Sequence, residues 1–274
     1  MGSLVAKTKG KKGIIYKILK TNIQLIQDSI KGLSTVDFNP NYKLEDDEIY
    51  RIQNFSKTDY CSTFLTGSFS STNYNQIKVS DYQKLDYLCF VKSNKYCFQK
   101  FSKTTQLLQK SFFELSNQPQ LVTKKKIIIV NNNFDAYYNK NQDCLYFINF
   151  VKAKNIFKKL ENLYREATNK EVNQFLSKSF VELKHNYSSE KVKTANRKRI
   201  AIAMDTWKNF DKIEKKAIVV YIKKYCKHVP CTKKAFQIST EEHLKQVLFG
   251  IEQRYYTTLI GEEKRLANSI LQID

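Results

Sequence analysis

The spacing of apolar residues changes near residue 150 of this 274-residue chain. Before that point, most apolar clusters are short and rich in aromatic and β-branched residues, a pattern typical of strands. After it, apolar residues recur at every third or fourth position, which is typical of amphipathic helices. We therefore predict an α+β protein. Residues 1–150 would form a mixed half with one helix and an antiparallel sheet, and residues 151–274 a mainly helical, basic half.

The N-terminal half begins with one predicted helix. Residues 1–12 carry glycines among lysines and are interpreted as a flexible basic lead-in. Apolar residues from Ile14 to Ile30 recur at helical spacing, and Gly32 is a typical stop signal. Short strands are then predicted at 49–55, 85–91 and 96–101, followed by a small antiparallel meander of 124–130, 134–138 and 144–150.

The C-terminal half is predicted to alternate helices with short strands. Thr168 and Glu171 have the spacing of a capping box, which indicates a helix start. Helices are predicted at 153–163, 172–183, 191–208, 211–227, 240–249 and 262–271, with strands at 236–238 and 253–259. A strand, helix, strand, helix order after a basic helix pair admits a winged-helix-like arrangement.

Positive charge is concentrated in residues 184–234. The chain has 47 Lys and Arg against 26 Asp and Glu, a formal net charge of +21. Residues 184–234 hold fifteen of the cations and four of the acids. Clustered cations neutralise adjacent phosphates and release their counterions, so this stretch predicts a polyanionic partner. The alternative is a basic helix that is simply solvated.

On a helix spanning 211–227, four lysines fall within about 60° of one another, opposite an apolar stripe. Trp207 is interpreted as a core anchor rather than a base-stacking platform, and Arg254 with two following tyrosines as a further possible contact. The predicted nucleic-acid-binding residues are Lys191, Arg197, Lys198, Arg199, Lys208, Lys212, Lys216, Lys223, Lys227, Lys233 and Lys234. Lysine lines suit backbone phosphates, and no Arg, Asn and Gln set is arranged for base edges, which predicts sequence-tolerant binding of DNA.

Enzymatic chemistry has one candidate. Restriction-type nucleases combine an Asp with an apolar-Glu-apolar-Lys pattern on a strand, where two carboxylates hold Mg²⁺. Asp135 or Asp143 with Glu182 and Lys184 has these residue types. We expect residues 172–183 to be helical, however, which would point Glu182 and Lys184 in different directions. This Mg²⁺-dependent nuclease is an alternative function.

Other catalytic and cofactor motifs are missing from the sequence. It contains no phosphate-binding glycine loop and no zinc-like cysteine spacing, so no cofactor and no metal are expected. No leader peptide and no long apolar run occurs, so a reduced cytoplasmic compartment is expected.

From about residue 44 onward, the order of features resembles the KwaB family, the B subunit of the Kiwa anti-phage defence system. The resemblance is carried by 127–135 with Phe134 and Asp135, by 145–150, by Ile156 and Phe157, and by the terminal segments 236–238, 244–248 and 254–256 with the closing helix. It implies a DNA-binding defence protein that forms homo-oligomers and works beside a small membrane partner.

A non-catalytic assembly subunit that binds RNA or an acidic protein is a third alternative.

Overall fold

The computed structural model describes residues 2–10, 13–21, 30, 32–101, 106–107, 112–114, 118–123, 127–128, 130 and 133–271. The chain divides into two compact units. Unit 1 comprises Met1–Phe38 and Leu44–Leu160, and unit 2 comprises Asn39–Lys43 and Glu161–Asp274. Strands predominate in unit 1, and unit 2 combines helices with short strands, so the predicted α+β class is confirmed.

Unit 1 is built on a mixed sheet of eight strands in the order β2-β1-β5-β6-β11-β12-β4-β3, with all neighbours antiparallel except β3 and β4. Two small sheets pair β7 with β10 and β8 with β9. The strands are β1 Gly2–Thr8, β2 Ile15–Thr21, β3 Ser34–Asp37, β4 Glu48–Ile52, β5 Leu85–Lys92, β6 Lys95–Lys100, β7 Gln106–Leu107, β8 Phe112–Glu114, β9 Gln120–Val122, β10 Ile127–Ile128, β11 Ala136–Asn139 and β12 Cys144–Phe147; the helices are α1 Thr63–Thr66 and α2 Phe150–Ile156.

The predicted N-terminal helix and the flexible lead-in are both wrong. Residues 15–21 form β2, and residues 2–8 form β1, which lies between β2 and β5. Val5 and Ala6 of β1 are fully buried, so pairing with two neighbours and burial outweigh a local helical spacing. Residues 22–29 of the predicted helix lie outside the described residues.

The predicted strands at 49–55, 85–91 and 96–101 are confirmed as β4, β5 and β6. The meander is confirmed only for β11 and β12, which form an antiparallel hairpin. The other side of β11 is occupied by β6, whose Tyr96 and Phe98 are fully buried, and β10 pairs with β7 instead. β6 occupies the position beside β11 that was predicted for 124–130, of which 124–126 and 129 lie outside the described residues.

Unit 2 packs four helices around one core, which includes Phe175, Ile200, Ile222 and Leu244. Its β13 and β14 pair in parallel, and β15 and β16 form an antiparallel hairpin. The helices are α3 Asn169–Leu176, α4 Thr194–Asn209, α5 Lys212–Tyr225 and α6 Glu241–Ile251, and the strands are β13 Val181–Leu183, β14 Phe236–Ile238, β15 Tyr255–Thr257 and β16 Lys264–Leu266.

Of the helices predicted in unit 2, one is wrong in part and one is wrong throughout. The helix predicted over 172–183 ends at Leu176, and 181–183 form β13 because they pair with β14. The helix predicted over 262–271 is replaced by β16, since the chain reverses at Gly261, whose φ of 81° is in the left-handed region. The helices predicted at 191–208, 211–227 and 240–249 are confirmed.

A close helix contact fixes α5 against α6. A Cβ added to Gly250 would lie 2.4 Å from Cγ1 of Ile222, so only glycine allows this approach. The contact holds one side of α5 in the core and leaves its lysine side facing away from α6. No helix among the described residues combines the length and apolar character that crossing a bilayer requires.

Candidate nucleic-acid interface

The helix that carries most of the predicted lysine line starts at a complete capping box. Oδ1 of Asp211 accepts hydrogen bonds from the backbone N–H groups of Ile213 and Glu214, and Oε2 of Glu214 accepts one from the N–H of Asp211 at 2.7 Å. This box satisfies N–H groups that a helix start leaves free and fixes where α5 begins. The first residue of the helix determines the direction in which each lysine points from the helix axis.

Seven lysines line one cleft of about 810 Å³ in unit 2, which we call the lysine cleft. No carboxylate is among its described lining residues. The lining consists of Lys178, Ser179, Phe180, Trp207, Lys212, Lys215, Lys216, Val219, Val220, Lys223, Lys233 and Lys234.

Four parts of unit 2 contribute to this lining. Lys212 to Lys223 lie along α5, Trp207 lies on α4, Lys178 follows α3, and Lys233 and Lys234 precede β14. The Nζ of Lys223 donates to the carbonyl oxygen of Lys233 at 2.8 Å, which ties the end of α5 to that loop. A continuous basic surface is therefore assembled from segments that are distant in sequence.

The positive charge of the cleft is not neutralised within the described part of the chain. None of the seven lysines has a carboxylate oxygen within 4.0 Å of its ammonium group among the described residues. Burial lowers the pKa of Lys178, and the nearby charges of Lys215 and Lys208 lower it further. A cation whose pKa is lowered by other cations lies in a positive potential.

One wall of the cleft is apolar. Trp207 is half-buried and packs on Phe180 with ring centroids 4.6 Å apart, and the side chain of Val220 is 67% exposed. Trp207 also packs against the main core of unit 2, which agrees with its interpretation as a core anchor. It additionally presents part of its ring to the cleft, with the Nζ of Lys178 5.9 Å from the ring centre.

Five of the eleven predicted binding residues line the cleft: Lys212, Lys216, Lys223, Lys233 and Lys234. The cleft also contains Lys178 and Lys215, which were not predicted. Lys178 is outside the charge-rich stretch, and Lys215 lies about 60° to the side of the line drawn on a helical projection. Only the fold brings Lys178 to α5.

Arg197 has a different environment. Its guanidinium donates to the backbone oxygens of Val192 at 3.0 Å, Ser189 at 3.2 Å and Ala167 at 3.4 Å, and to Oδ1 of Asn169 at 2.8 Å. Ala167 and Asn169 lie at the start of α3, and Ser189 and Val192 lie in the segment that leads into α4. The side chain therefore fastens loops to a helix, and we call this group the Arg197 anchor.

The remaining predicted residues also lie outside the cleft lining. Lys198 lies over the ring of Tyr164, with its Nζ 4.6 Å from the ring centre. Lys208 forms an ion pair with Asp205 at 3.1 Å, and Lys191 and Lys227 are exposed. Arg199 lines a second pocket, and its Nη1 donates to Asn196 at 2.9 Å.

The carboxylates of the nuclease alternative are engaged locally. Asp135 pairs with Lys152 at 3.1 Å, and Asp143 accepts hydrogen bonds from Ser56 and Tyr138. Both residues belong to unit 1, whereas Glu182 belongs to unit 2.

The geometry expected of Glu182 and Lys184 needs correction. Glu182 lies on strand β13, and its Oε1 pairs with the Nζ of Lys184 at 2.6 Å. The expectation that the two side chains diverge on a helix is wrong, because residues two apart at a strand share a face. No group of three or more His, Cys, Asp or Glu side chains in the described part of the chain is arranged to hold a metal ion.

The other possible contact, Arg254 with Tyr255 and Tyr256, is divided between interior and surface. Arg254 is buried, Tyr255 is half-buried with its hydroxyl donating to the Gln246 carbonyl at 3.3 Å, and Tyr256 is exposed.

No protein-family model, curated protein or solved structure matches the chain.

Proposed function

We propose that this protein binds DNA with little sequence preference and that the backbone phosphates bind in the lysine cleft. The observation that supports this most directly is the lining of the cleft, where seven lysines meet and no carboxylate is among the described lining residues. Such a cluster is costly unless a polyanion or condensed salt compensates it, because like charges repel. A polyanion would replace many bound counterions at once and gain their entropy.

The kind of cation in the cleft favours contact with phosphates over contact with bases. Lysine is a compact point charge on a flexible stem and suits any phosphate oxygen within reach. The described lining contains no Arg, Asn or Gln, which are the side chains that bind base edges in pairs of hydrogen bonds. Binding would therefore be strongly salt-dependent and nearly indifferent to sequence.

The dimensions of α5 are compatible with this role. Lys212 and Lys223 are separated by eleven residues of helix, which is about 16 Å and spans several phosphates of one strand. Trp207, Val219 and Val220 beside the lysines offer an apolar surface for sugars or for an unpaired base. A duplex remains the favoured ligand of this proposal.

The resemblance to the KwaB family supports DNA over RNA and extends the proposal to phage defence. In this view the chain acts as a homo-oligomer in the cytoplasm beside a small membrane partner. Each of these additions is independent of the lysine cleft and is tested separately, by mass measurement in solution and by plaque assays with cells that express the protein.

Fluorescence anisotropy with two unrelated duplexes, repeated at several salt concentrations, tests the central claim. The test variant replaces Lys212, Lys216, Lys233 and Lys234 by Gln. Each phosphate contact contributes a slope of about 0.9 to the dependence of log affinity on log salt, so losing four lowers the slope by up to about 3.6. Both duplexes should be affected equally.

The matched control replaces Lys191, Lys193, Lys224 and Lys227, all exposed, by Gln. It removes the same formal charge from outside the described lining of the cleft. Equal losses for the two variants would contradict the proposed site and leave only diffuse attraction. Competition between duplex DNA and single-stranded RNA separates the RNA alternative, and Mg²⁺-dependent cutting that is abolished by Glu182→Ala would favour the nuclease.

A further inference from the structure

A second pocket of about 410 Å³ lies in unit 2, and its lining residues are different from those of the lysine cleft. It is formed by the 39–43 segment, α4, α6 and the hairpin of β15 and β16. The lining residues that bear on its chemistry are Asn41, Tyr164, Arg199, Lys245, Phe249 and Arg254.

Three cations of this pocket surround one aromatic ring. The guanidinium carbon of Arg254 lies 4.6 Å from the centre of the Phe249 ring, that of Arg199 lies 5.1 Å away, and the Nζ of Lys245 lies 5.6 Å away. The electron-rich faces of the ring attract each cation, but the cations repel one another. All three side chains line the same pocket, so a ligand bound there meets a positively charged lining.

Arg254 is the most informative of the three. It is only 8% exposed, and its Nε has no hydrogen-bond acceptor among the described residues. Its Nη2 donates to Oδ1 of Asn41. A buried guanidinium N–H without an acceptor is costly and uncommon in folded proteins, which indicates that a group from outside the chain supplies one.

Carboxylates near the pocket compensate part of this charge, and the negative charge of Glu252 acts on Arg254. Asn41 donates from Nδ2 to Oε2 of Glu252 at 3.3 Å, so Glu252 is connected to Arg254 through the amide. Glu242 pairs with Lys245 at 3.2 Å. In the described part of the chain, no carboxylate lies within ion-pair distance of Arg199 or Arg254.

We propose that this pocket binds the phosphate group of a small molecule about the size of a mononucleotide. Guanidinium groups bind phosphate oxygens through paired hydrogen bonds, and a phosphate monoester carries close to two negative charges at neutral pH. Because Lys245 already pairs with Glu242, the two guanidinium groups of Arg199 and Arg254 remain, and two negative charges match them better than the single charge of a carboxylate.

The remaining lining fits an organic part of the ligand. Tyr164 and Phe249 provide aromatic surface beside the cations, and Asn41 and Asn268 provide amide groups at the rim. The volume of the pocket is within the range of small-molecule sites, roughly 300–1,000 Å³, and too small for a duplex. The proposal uses none of the residues that line the lysine cleft.

Isothermal titration of the full chain with inorganic phosphate, adenosine 5′-monophosphate and adenosine tests this site. Phosphate and the nucleotide should bind, and adenosine should not. Arg199→Gln should weaken nucleotide binding about tenfold or more, because a charge-assisted hydrogen bond is lost. The variant that replaces four lysines of the lysine cleft should bind the nucleotide as the parent does.

Lys245→Gln is a second variant for the case that Arg199→Gln does not fold, since Lys245 is partly exposed on α6. It should weaken the binding of phosphate and of the nucleotide by similar factors, about threefold to tenfold, because both ligands share the group it contacts. No binding of either ligand, or binding that both variants leave unchanged, would overturn the proposal. Loss only in the lysine-cleft variant would assign the phosphate to that cleft.

Discussion

Six of the seven lysines of the lysine cleft belong to the same charge-rich stretch, residues 184–234, as Arg197, and their environment differs from that of Arg197. Arg197 donates to four oxygens of its own chain, whereas the cleft lysines have no carboxylate partner in the described residues. A positive residue is more available to a ligand when its own chain supplies it with fewer acceptors. Among the cleft lysines, Lys215 donates to the carbonyl oxygen of Phe210 and Lys223 to those of Thr232 and Lys233, whereas four oxygens hold the guanidinium of Arg197. Density of charge along the sequence does not distinguish these two situations.

The difference follows from geometry near each residue. Arg197 lies in the first turn of α4, where the start of α3 and the segment leading into α4 present oxygens toward it. The cleft lysines of α5 lie on a helix face, where the backbone oxygens are already used within the helix. Backbone oxygens in loops can accept hydrogen bonds from a cation, whereas those in the middle of a helix already accept hydrogen bonds from backbone N–H groups.

Arg197→Ala should produce the largest effect in unit 2. Four acceptors would lose their donor and the loops would lose their tie to α4, so we expect a loss of about 2–4 kcal/mol in the free energy of unfolding. Urea denaturation followed by circular dichroism measures this loss. Arg197→Lys should recover little of it, since an ammonium cannot reach the same set of oxygens. A fully stable Arg197→Ala protein with weak DNA binding would instead place Arg197 among the binding residues.

Glu171→Gln should have the next largest effect, and the effect should depend on pH. Hydrogen bonds from Arg165, and then from Thr168, lower the pKa of Glu171 to about 2. The carboxylate therefore stabilises the fold above its unfolded pKa, and this contribution disappears as pH falls from about 4.5 to about 2. We expect a deficit of about 1–2 kcal/mol at pH 7, reduced by partial exposure of the pair.

Denaturation curves at a series of pH values between 7 and 3 check this prediction. The deficit of Glu171→Gln relative to the parent should narrow as the pH is lowered. Glu166→Gln is a suitable control, because Glu166 is exposed in the segment that precedes α3. A deficit that stays constant down to pH 3 would contradict the assigned ion pair.

Lys216→Gln and Lys227→Gln form a pair that sharpens the comparison in the binding assay. Both lysines are exposed, but Lys216 lines the cleft and Lys227 does not. Lys216→Gln should lower the salt slope by about 0.9, and Lys227→Gln should leave it nearly unchanged. Equal slopes for the two variants would mean that DNA follows the helical line of four lysines rather than the cleft.

Lys178→Met should give the smallest change, with opposite signs for stability and binding. Burial and two neighbouring lysines lower the pKa of Lys178, so its charge is unfavourable in the free protein. Replacing it should raise stability by up to about 0.5 kcal/mol and weaken DNA binding. Melting curves and anisotropy on the same sample measure both, and a loss of stability would show that Lys178 supports the fold.

Most of the local structure of unit 2 was predictable from sequence because strong local signals mark it. The capping boxes at Thr168 and Asp211 and the helical spacing of lysines on α5 have nearby causes. The position of β1 between β2 and β5 was not predictable in this way. Its partners are set by pairing across the sheet, and a short lysine-containing segment such as 2–8 shows little of that preference.

The residues of the proposed binding surface were also predictable only in part. Lys212, Lys216 and Lys223 follow from one helical projection, and Lys233 and Lys234 from their place in the charge-rich stretch. Lys178 enters only because α3 ends beside α5, and the second pocket requires Arg199, Lys245 and Arg254 to meet on Phe249. Contacts between segments that are distant in sequence place Lys178 in the cleft and form the second pocket. The spacing of residues within one segment does not indicate such contacts.

The chain enters unit 2 twice, first for five residues and again at Glu161. In the five-residue segment, the carbonyl oxygen of Asn41 accepts a hydrogen bond from the N–H of Ile270 at 3.0 Å, and the N–H of Lys43 donates to the hydroxyl of Ser269 at 2.9 Å. A fragment of residues 161–274 would therefore lack residues 39–43, and moving its first residue a little earlier or later would not restore them. Adding a synthetic peptide that covers 36–46 should restore the folding of such a fragment. The five-residue segment could therefore serve as the smaller component of a split-protein assay.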